Sequence, residues 1–180
     1  MNRPTLETPR LRLRPFHSGD IDDVTRLAND EELSRYIPAI PHPYPRQAAA
    51  EWLATHQEKF NFGQELVLAV TEKTDGTLVG AVGLILTPEH RRAELGYWIG
   101  RRFWGRGYAT EAGKAMLEYG FEVIGLETIF ANHLAPNTAS GRVMLKLGMK
   151  YHGTRPRYYL HRGQFYDAAM YGIVRDEFRR

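Results

Sequence analysis

The chain has 180 residues, 43% of them hydrophobic and 25% charged, which is the composition of an ordinary folded protein rather than a disordered one. This length suits one domain with a substantial buried core. Lysine and arginine total 24 against 21 aspartates and glutamates, so the net charge of +3 is too small to indicate nucleic-acid binding by itself. Cysteine is absent, which excludes disulfides, thiolate metal sites and a cysteine nucleophile.

The first 14 residues are polar, carry four arginines and lack the apolar segment of a signal peptide. No stretch approaches the roughly 18 to 20 apolar residues that a membrane span needs. We therefore expect a cytoplasmic protein with no membrane partner. The seven histidines show no His-x-x-x-His spacing, so we expect no metal site.

Hydrophobic periodicity and turn signals predict one mixed α/β domain without repeats or linkers. The predicted elements are a strand at 10–15, helices at 21–28 and 46–60, strands at 66–71, 78–86 and 93–99, a helix at 108–123, a strand at 128–131, a helix at 137–147, and strands at 149–159 and 164–174. Ser18-Gly19-Asp20 is a candidate cap for the first helix, and Asn137 for the last. Four prolines between Ile37 and Pro45 predict an ordered loop, of the kind that often lines a site.

A glycine-containing loop joins the predicted strand ending at Ile99 to the helix that starts near Tyr108. The first N–H groups of such a helix lack helical partners, and its dipole is positive at that end. Gly105 and Gly107 allow close backbone approach to a ligand. The loop therefore predicts an anion cradle, to which three side chains add charge, namely Arg101, Arg102 and Arg106. The P-loop and dinucleotide fingerprints do not fit. A tight turn with solvated arginines is the alternative.

Three motifs surround this loop in a fixed order. They are Glu94-Leu95-Gly96-Tyr97-Trp98-Ile99, then Arg102-x-x-Gly105-x-Gly107, and finally Asn137-x-x-Ser140 with Lys146-Leu147-Gly148-Met149. Their order and spacing resemble the GNAT N-acetyltransferase superfamily, specifically its ribosomal-protein N-acetyltransferase (RimJ/RimL-like) branch. The opening Glu7-Thr8-Pro9-Arg10-Leu11-Arg12-Leu13-Arg14 is also similar to that branch. The resemblance extends from about Leu6 to Ile173.

The resemblance implies a single GNAT-like domain over residues 6–175. Its mixed, mostly antiparallel sheet would have six to seven strands flanked by helices, with a splayed pair of parallel strands at the cofactor site. The implied activity is acetyl-CoA-dependent N-acetyl transfer to a primary amine, by direct attack in a ternary complex. The acceptor would be a protein N-terminus, such as that of a ribosomal protein, or a small amine. The protein would be a monomer or a homodimer.

The resemblance also implies where acetyl-CoA binds. Its pyrophosphate is expected on backbone N–H groups between Arg102 and Ala109, and its pantetheine arm beside a strand bulge, where it pairs as an added strand would. Asn137 would bond the arm, cap its helix, or do both. Arg142 would reach the phosphates or be solvated. The expected cofactor-binding residues are Trp98, Ile99, Arg101, Arg102, Gly105, Arg106, Gly107, Tyr108, Ala109, Asn137 and Arg142.

Acetyl transfer requires the amine to lose a proton, and the departing thiolate, of pKa about 8.5, gains from a donor. Glu94 is the candidate base. The alternative is a strand carboxylate that is solvated or paired with a neighbouring arginine. Many superfamily members carry a tyrosine donor at the position of Met144, whereas the ribosomal-protein branch has a serine at the position of Ser140. Ser140 is therefore the candidate donor, or else a capping residue. The reserve donors are Tyr97, Tyr108 and Tyr171.

The sequence is also compatible with two functions of other classes. One is a non-catalytic acyl-CoA-binding or sensing domain on the same scaffold, and the other is a nucleic-acid-binding module that uses the arginine clusters. The composition makes nucleic acid the less favoured partner. The acceptor is expected to meet the proline loop at 37–45, the helix after it and the last hairpin.

Overall fold

A computed structural model describes residues 2–178. Its strands are β1 (Leu6–Glu7), β2 (Leu11–Arg14), β3 (Glu65–Glu72), β4 (Leu78–Thr87), β5 (Arg92–Ile99), β6 (Thr128–Leu134), β7 (Lys150–His161) and β8 (Gln164–Val174). Its α-helices are α1 (Ile21–Ala28), α2 (Glu31–Tyr36), α3 (Arg46–Asn61), α4 (Tyr108–Tyr119) and α5 (Thr138–Lys146).

The strands form one mixed sheet in the order β1-β2-β3-β4-β5-β6-β8-β7, which is the predicted α/β architecture with eight strands. The expected number of strands, six to seven, did not include β1. This strand has only two residues and is too short to show an alternating pattern. The β5–β6 pair is parallel, and the remaining neighbours in the described sheet are antiparallel. Helices cover both faces, so β3 is buried almost along its whole length.

The structure differs from the predicted helices at three places. Asp20 does not cap α1 with its side chain, because its carboxylate accepts two bonds of 2.7 Å from Arg14 and one of 3.0 Å from the His17 N–H. The six-residue α2 was not predicted, since it is too short for a periodic signal. After Tyr119 the predicted helix continues as a π-helical turn over Gly120–Ile124.

The two ends of α5 agree with the prediction. The Asn137 side chain accepts a bond from the Ser140 N–H at 3.3 Å, which caps the first turn. Gly148 lies just past the last turn with φ of +83°, the left-handed conformation that glycine adopts readily.

The parallel strands β5 and β6 separate soon after they meet. Their paired positions are Arg92–Thr128, Ala93–Ile129 and Glu94–Phe130. Beyond Glu94, β5 stays paired with β4 up to Ile99, and β6 stays paired with β8 up to Leu134. The predicted splayed pair is therefore present. The bulge expected at Trp98 and Ile99 is not, because the β4–β5 register runs through both residues without a shift. Divergence of the two strands opens the gap instead.

Within residues 2–178, no helix combines the length and the apolar character that crossing a lipid bilayer requires.

Candidate active site

A cavity of about 910 Å³ occupies the gap between β5 and β6. Its walls come from the proline loop at 37–45, α3, the loop at 103–110, α5 and Tyr159 of β7. The proline loop, the helix after it and the last hairpin were the regions predicted to meet an acceptor. All three contribute to one cavity.

The cavity connects the two faces of the sheet. Successive residues of a strand point to opposite faces. The Trp98 ring lies 6.3 Å from the Trp52 ring of α3, whereas the Tyr97 hydroxyl contacts Ser140 of α5. Glu94 shares the face of Trp98, because the two are four residues apart in one strand. Ligands that enter from opposite faces can therefore meet in the gap.

The glycine loop forms the predicted turn between β5 and α4. Gly105 and Gly107 have φ of +77° and +80°, and Gly107 stands at the helix N-cap with no side-chain capping bond. The first N–H groups of α4 are thus left for another acceptor. A Cβ on Gly105 would meet no atom within 4 Å, and one on Gly107 would meet only Arg10 Nη2 at 3.5 Å. The space above both glycines is open to a ligand.

Two side-chain hydrogen bonds fix this loop. Trp104 Nε1 donates to the Ile99 carbonyl at 2.6 Å, and Arg10 Nη1 donates to the Arg106 carbonyl at 3.0 Å. Arg10 is itself held by Glu111, at 2.7 Å. Because the backbone is fixed from both sides, its free N–H groups are preorganised for an anion.

The three loop arginines lie around the cradle rather than in it. The guanidinium carbons of Arg102 and Arg106 lie 4.5 Å and 5.4 Å from the centre of the Phe103 ring. Arg106 also approaches Glu72 at 3.8 Å, and Arg101 approaches a carboxylate at 3.9 Å, that of Asp30. Among the described residues that line the cavity, Arg142 is present but none of these three loop arginines is. The backbone is therefore the main electrostatic feature of the cradle.

Ser140 is not a helix cap. Its Oγ lies 2.8 Å from the Tyr97 hydroxyl, which is also 3.1 Å from the Ser140 carbonyl oxygen. Asn137 caps the helix instead. Burial raises the pKa of Tyr97 to about 12, against the opposing effect of the Ser140 hydrogen bond. The phenol therefore stays protonated at neutral pH and acts as a hydrogen-bond donor.

The other two reserve tyrosines make different contacts. Tyr108 donates its hydroxyl proton to Glu72, and Tyr171 stacks on His133 with ring centres 5.6 Å apart. Met144, at the position where many relatives carry a tyrosine, is buried. Tyr97 is the reserve tyrosine that reaches Ser140.

Glu94 is the last residue of β5 that pairs with β6, and it lines the cavity. Asn132 Nδ2 donates to Glu94 Oε1 at 2.7 Å, and the Tyr159 hydroxyl donates to Asn132 Oδ1 at 2.5 Å. Burial raises the pKa of Glu94, and the Asn132 bond partly opposes that rise. Among the described residues Glu94 forms no ion pair, since Arg91 pairs with Glu127 at 2.7 Å. The alternative interpretation, in which Glu94 is paired with a neighbouring arginine, is therefore wrong.

Trp52, Asn132 and Tyr159 are among the lining residues that were not individually predicted from the sequence. Asn132 lay just beyond the predicted end of its strand at Ala131. The parallel register that pairs Glu94 with Phe130 would have placed it nearby, but that register is not visible in a sequence. Trp52 and Tyr159 show only the signal of ordinary packed aromatics. Within residues 2–178 no group of three or more metal-ligating side chains converges.

Comparisons with known proteins agree on one family. The profile of the acetyltransferase (GNAT) domain matches residues 10–150. The uncharacterised N-acetyltransferase YoaA of Bacillus subtilis is 30% identical over 173 residues, covering 96% of this chain and 97% of its own. A GNAT-family acetyltransferase from Bacillus anthracis is 26% identical, with a TM-score of 0.85 over 97% of this chain and 100% of its own.

The fold is also that of RimL, the ribosomal L7/L12 α-N-protein acetyltransferase, solved with coenzyme A. The TM-score is 0.87 over 95% of this chain and 98% of that one, at 15% sequence identity. At that identity the likeness is one of fold.

Replacing Gly107 by valine tests the cradle, with Gly76 of the β3–β4 turn as the matched control. Gly76 has φ of +76°, so a side chain strains the left-handed backbone at either position, and an added Cβ there would meet no atom within 4 Å. Of the two glycines, Gly107 is the one that lines the cavity. We expect Gly107→Val to weaken coenzyme A binding about tenfold or more by titration calorimetry, and Gly76→Val to leave it unchanged. Equal affinity in the two folded variants would contradict the assignment.

Proposed function

The chain belongs to the GNAT acetyltransferase family, and from that premise we propose that it transfers the acetyl group of acetyl-CoA to a primary amine. The amine attacks the thioester directly in a ternary complex within the domain at 6–175. One observation carries the proposal: the gap between β5 and β6 joins an anion cradle on the α4–α5 face to an unpaired carboxylate on the α3 face. Donor and acceptor can therefore enter from opposite faces and meet.

The donor fits the α4–α5 side. The pyrophosphate accepts from the free N–H groups between Arg102 and Ala109, and Arg142 is close enough to the cavity to add charge. The pantetheine arm pairs with the β5 edge from Leu95 to Trp98, for which the described residues provide no strand partner on the side of β6. Asn137 keeps its side-chain N–H groups for that arm while its oxygen caps α5. An N–H of this edge polarises the thioester carbonyl.

Glu94 takes the proton from the amine, directly or through a water molecule. Asn132 occupies Oε1, which leaves Oε2 to accept. Burial raises the pKa of the carboxyl, and so makes the carboxylate a better base than an exposed one. The neutral amide of Asn132 orients Glu94 and leaves its negative charge in place. A lysine or arginine in that position would neutralise the charge.

The Tyr97–Ser140 pair stabilises the leaving thiolate. A phenol with a pKa of about 12 does not give up its proton to a thiolate whose conjugate acid has a pKa of about 8.5. The pair therefore acts by hydrogen bonding. When Tyr97 donates its proton to Ser140 Oγ rather than to the Ser140 carbonyl, the serine proton is free to point at the sulfur.

The acceptor is a protein N-terminus, such as that of a ribosomal protein, or a small amine. The RimJ/RimL-like motifs of the sequence support the first. The competing function is a non-catalytic acyl-CoA-binding domain. The carboxylate of Glu94, which is buried without a cationic partner, favours the enzyme. Burying such a charge costs free energy, and a domain that only binds acyl-CoA would have no use for it. Calorimetry with acetyl-CoA followed by a thiol-release assay on an amine panel separates the two. Binding without turnover on any amine would establish the sensor.

Glu94→Gln tests the base. We expect kcat to fall about 100-fold at neutral pH with little change in acetyl-CoA affinity. The loss should shrink at high pH, where the free amine already dominates. Glu32→Gln is the control, because Glu32 lines the same cavity from α2. Full activity of the Glu94 variant at neutral pH would assign proton removal to another group or to water.

Asn132→Leu tests how the base is tuned. Loss of the Asn132 bond removes a group that stabilises the carboxylate, so the pKa of Glu94 should rise further. Because the base acts in its ionised form, the acidic limb of kcat/KM should move to higher pH, and activity should recover in alkali. Tyr159→Phe should shift the limb less in the same direction, since it frees only Asn132 Oδ1. A loss equal at every pH would mean that Asn132 is merely structural.

Ser140→Ala tests the leaving-group donor. We expect turnover to fall about tenfold, with melting temperature and acetyl-CoA affinity nearly unchanged, since Asn137 is the cap. A coenzyme A analogue with a more acidic thiol should restore much of the rate. Tyr97→Phe should be non-additive with Ser140→Ala, because the two hydroxyls bond each other. Normal turnover in a variant that melts earlier would make Ser140 structural.

A further inference from the structure

We propose that the acceptor is a small amine with one positive charge, an apolar or aromatic body and no carboxylate. This rests on the proposed acetyl transfer and narrows it to one class of acceptor. The side chains and charges on the α3 side of the cavity carry the argument.

Aromatic and aliphatic side chains make up most of the α3 side of the cavity. They come from α2, the proline loop, α3, β4, β5 and β7, and include Tyr36, Tyr44, Trp52, Ile85, Trp98 and Tyr159. Such a surface stabilises an apolar body by removing it from water, and ring faces also attract an ammonium group. An acceptor with a hydrocarbon or aromatic body therefore fits it better than a highly polar one.

The charged side chains on this side are all acidic: Glu32, Glu65 and Glu94. In the described residues no lysine or arginine lines it, and the basic lining residues Arg142 and Lys146 belong to α5 on the opposite face. A carboxylate on the acceptor would find negative charge and no cationic partner. The wall therefore discriminates against free amino acids.

Among the side chains that the structure describes, only one of these three carboxylates lacks a cation. Glu65 lies 2.8 Å from Lys59 and Glu32 lies 3.5 Å from Arg35, whereas the partner of Glu94 is the neutral amide of Asn132. One uncompensated negative charge matches one ammonium group. The second ammonium group of a polyamine would meet only carboxylates that are already neutralised. It would therefore add little binding free energy beyond that of the first ammonium group.

Side-chain contacts join the last hairpin to α2. His161, at the end of β7, has Nε2 3.0 Å from the Ser34 carbonyl, and Arg162 Nη2 donates to Ser34 Oγ at 3.2 Å. Arg162 also approaches Glu31 at 3.6 Å. These contacts hold the hairpin against α2, and both elements contribute a lining residue to the cavity, Tyr159 and Glu32.

Matched acceptors test the charge argument. 2-Phenylethylamine, phenylalanine amide and phenylalanine share one ring and differ in the group on the α-carbon. With rates referred to the free amine, we expect kcat/KM for 2-phenylethylamine to exceed that for phenylalanine about 100-fold, and the amide to recover most of the difference. Spermidine and an N-terminal tetrapeptide complete the panel, and both should be poorer than 2-phenylethylamine.

A substitution at Ile85 tests the same point by gain of function. Ile85 is directly opposite Glu94 in the β4–β5 register, lines the cavity and is 53% exposed, so a long polar side chain can be accommodated. Ile85→Arg should bring a cation beside Glu94 and reduce the preference for 2-phenylethylamine over phenylalanine at least about tenfold. Ile85→Gln, a neutral control, should retain the preference.

The outcomes separate this inference from the proposed function. Equal use of phenylalanine and 2-phenylethylamine, or a clear preference for spermidine or the peptide, overturns the acceptor class and leaves acetyl transfer intact. Acetyl-CoA binding with no amine acetylated overturns both. The acceptor series with the unaltered protein is decisive even if Ile85→Arg fails to fold.

Discussion

The separation of β5 from β6 is the constraint on which the rest of the site depends. Each strand is held by its other neighbour, β5 by β4 and β6 by β8, so the parallel pair has only three paired positions before it opens. Strand edges with unpaired N–H and C=O groups cost free energy unless another partner satisfies them. An extended amide-containing arm is such a partner. The sheet therefore provides both a space and unpaired backbone groups to which a ligand can bond.

The same gap keeps two kinds of chemistry apart. Glu94 shares the α3 face with Asn132, while Tyr97 and Ser140 form a pair on the α5 face. Alternation along β5 produces this separation, because residues an odd number of positions apart, such as Glu94 and Tyr97, point to opposite faces of the sheet. In the proposed mechanism, the base and the hydrogen-bond donor therefore act on one thioester from two directions.

The cradle shows why local patterns predict backbone better than side chains. The order strand, glycine loop, helix was enough to predict free N–H groups near Gly105 and Gly107, because that geometry depends on neighbours in the chain. The destinations of Arg101, Arg102 and Arg106 were not predictable in this way. Phe103 is close in sequence, but Glu72 and Asp30 reach the loop only through the fold. The arginines border the cradle as a result.

The sequence by itself determined the order of nearly all strands and helices, the last hairpin, the caps of α5 and the glycine turn between β5 and α4, since each depends on periodicity or on bonds between residues a few positions apart. It missed β1 and α2, which are too short to show a period. The tertiary structure alone decided the long-range contacts of the candidate site. Glu94 and Asn132 are 38 residues apart, Asn132 and Tyr159 are 27 apart, and Tyr97 and Ser140 are 43 apart. Contacts over such separations form only when the sheet register and the packing of the helices bring the strands together, and no local pattern encodes them.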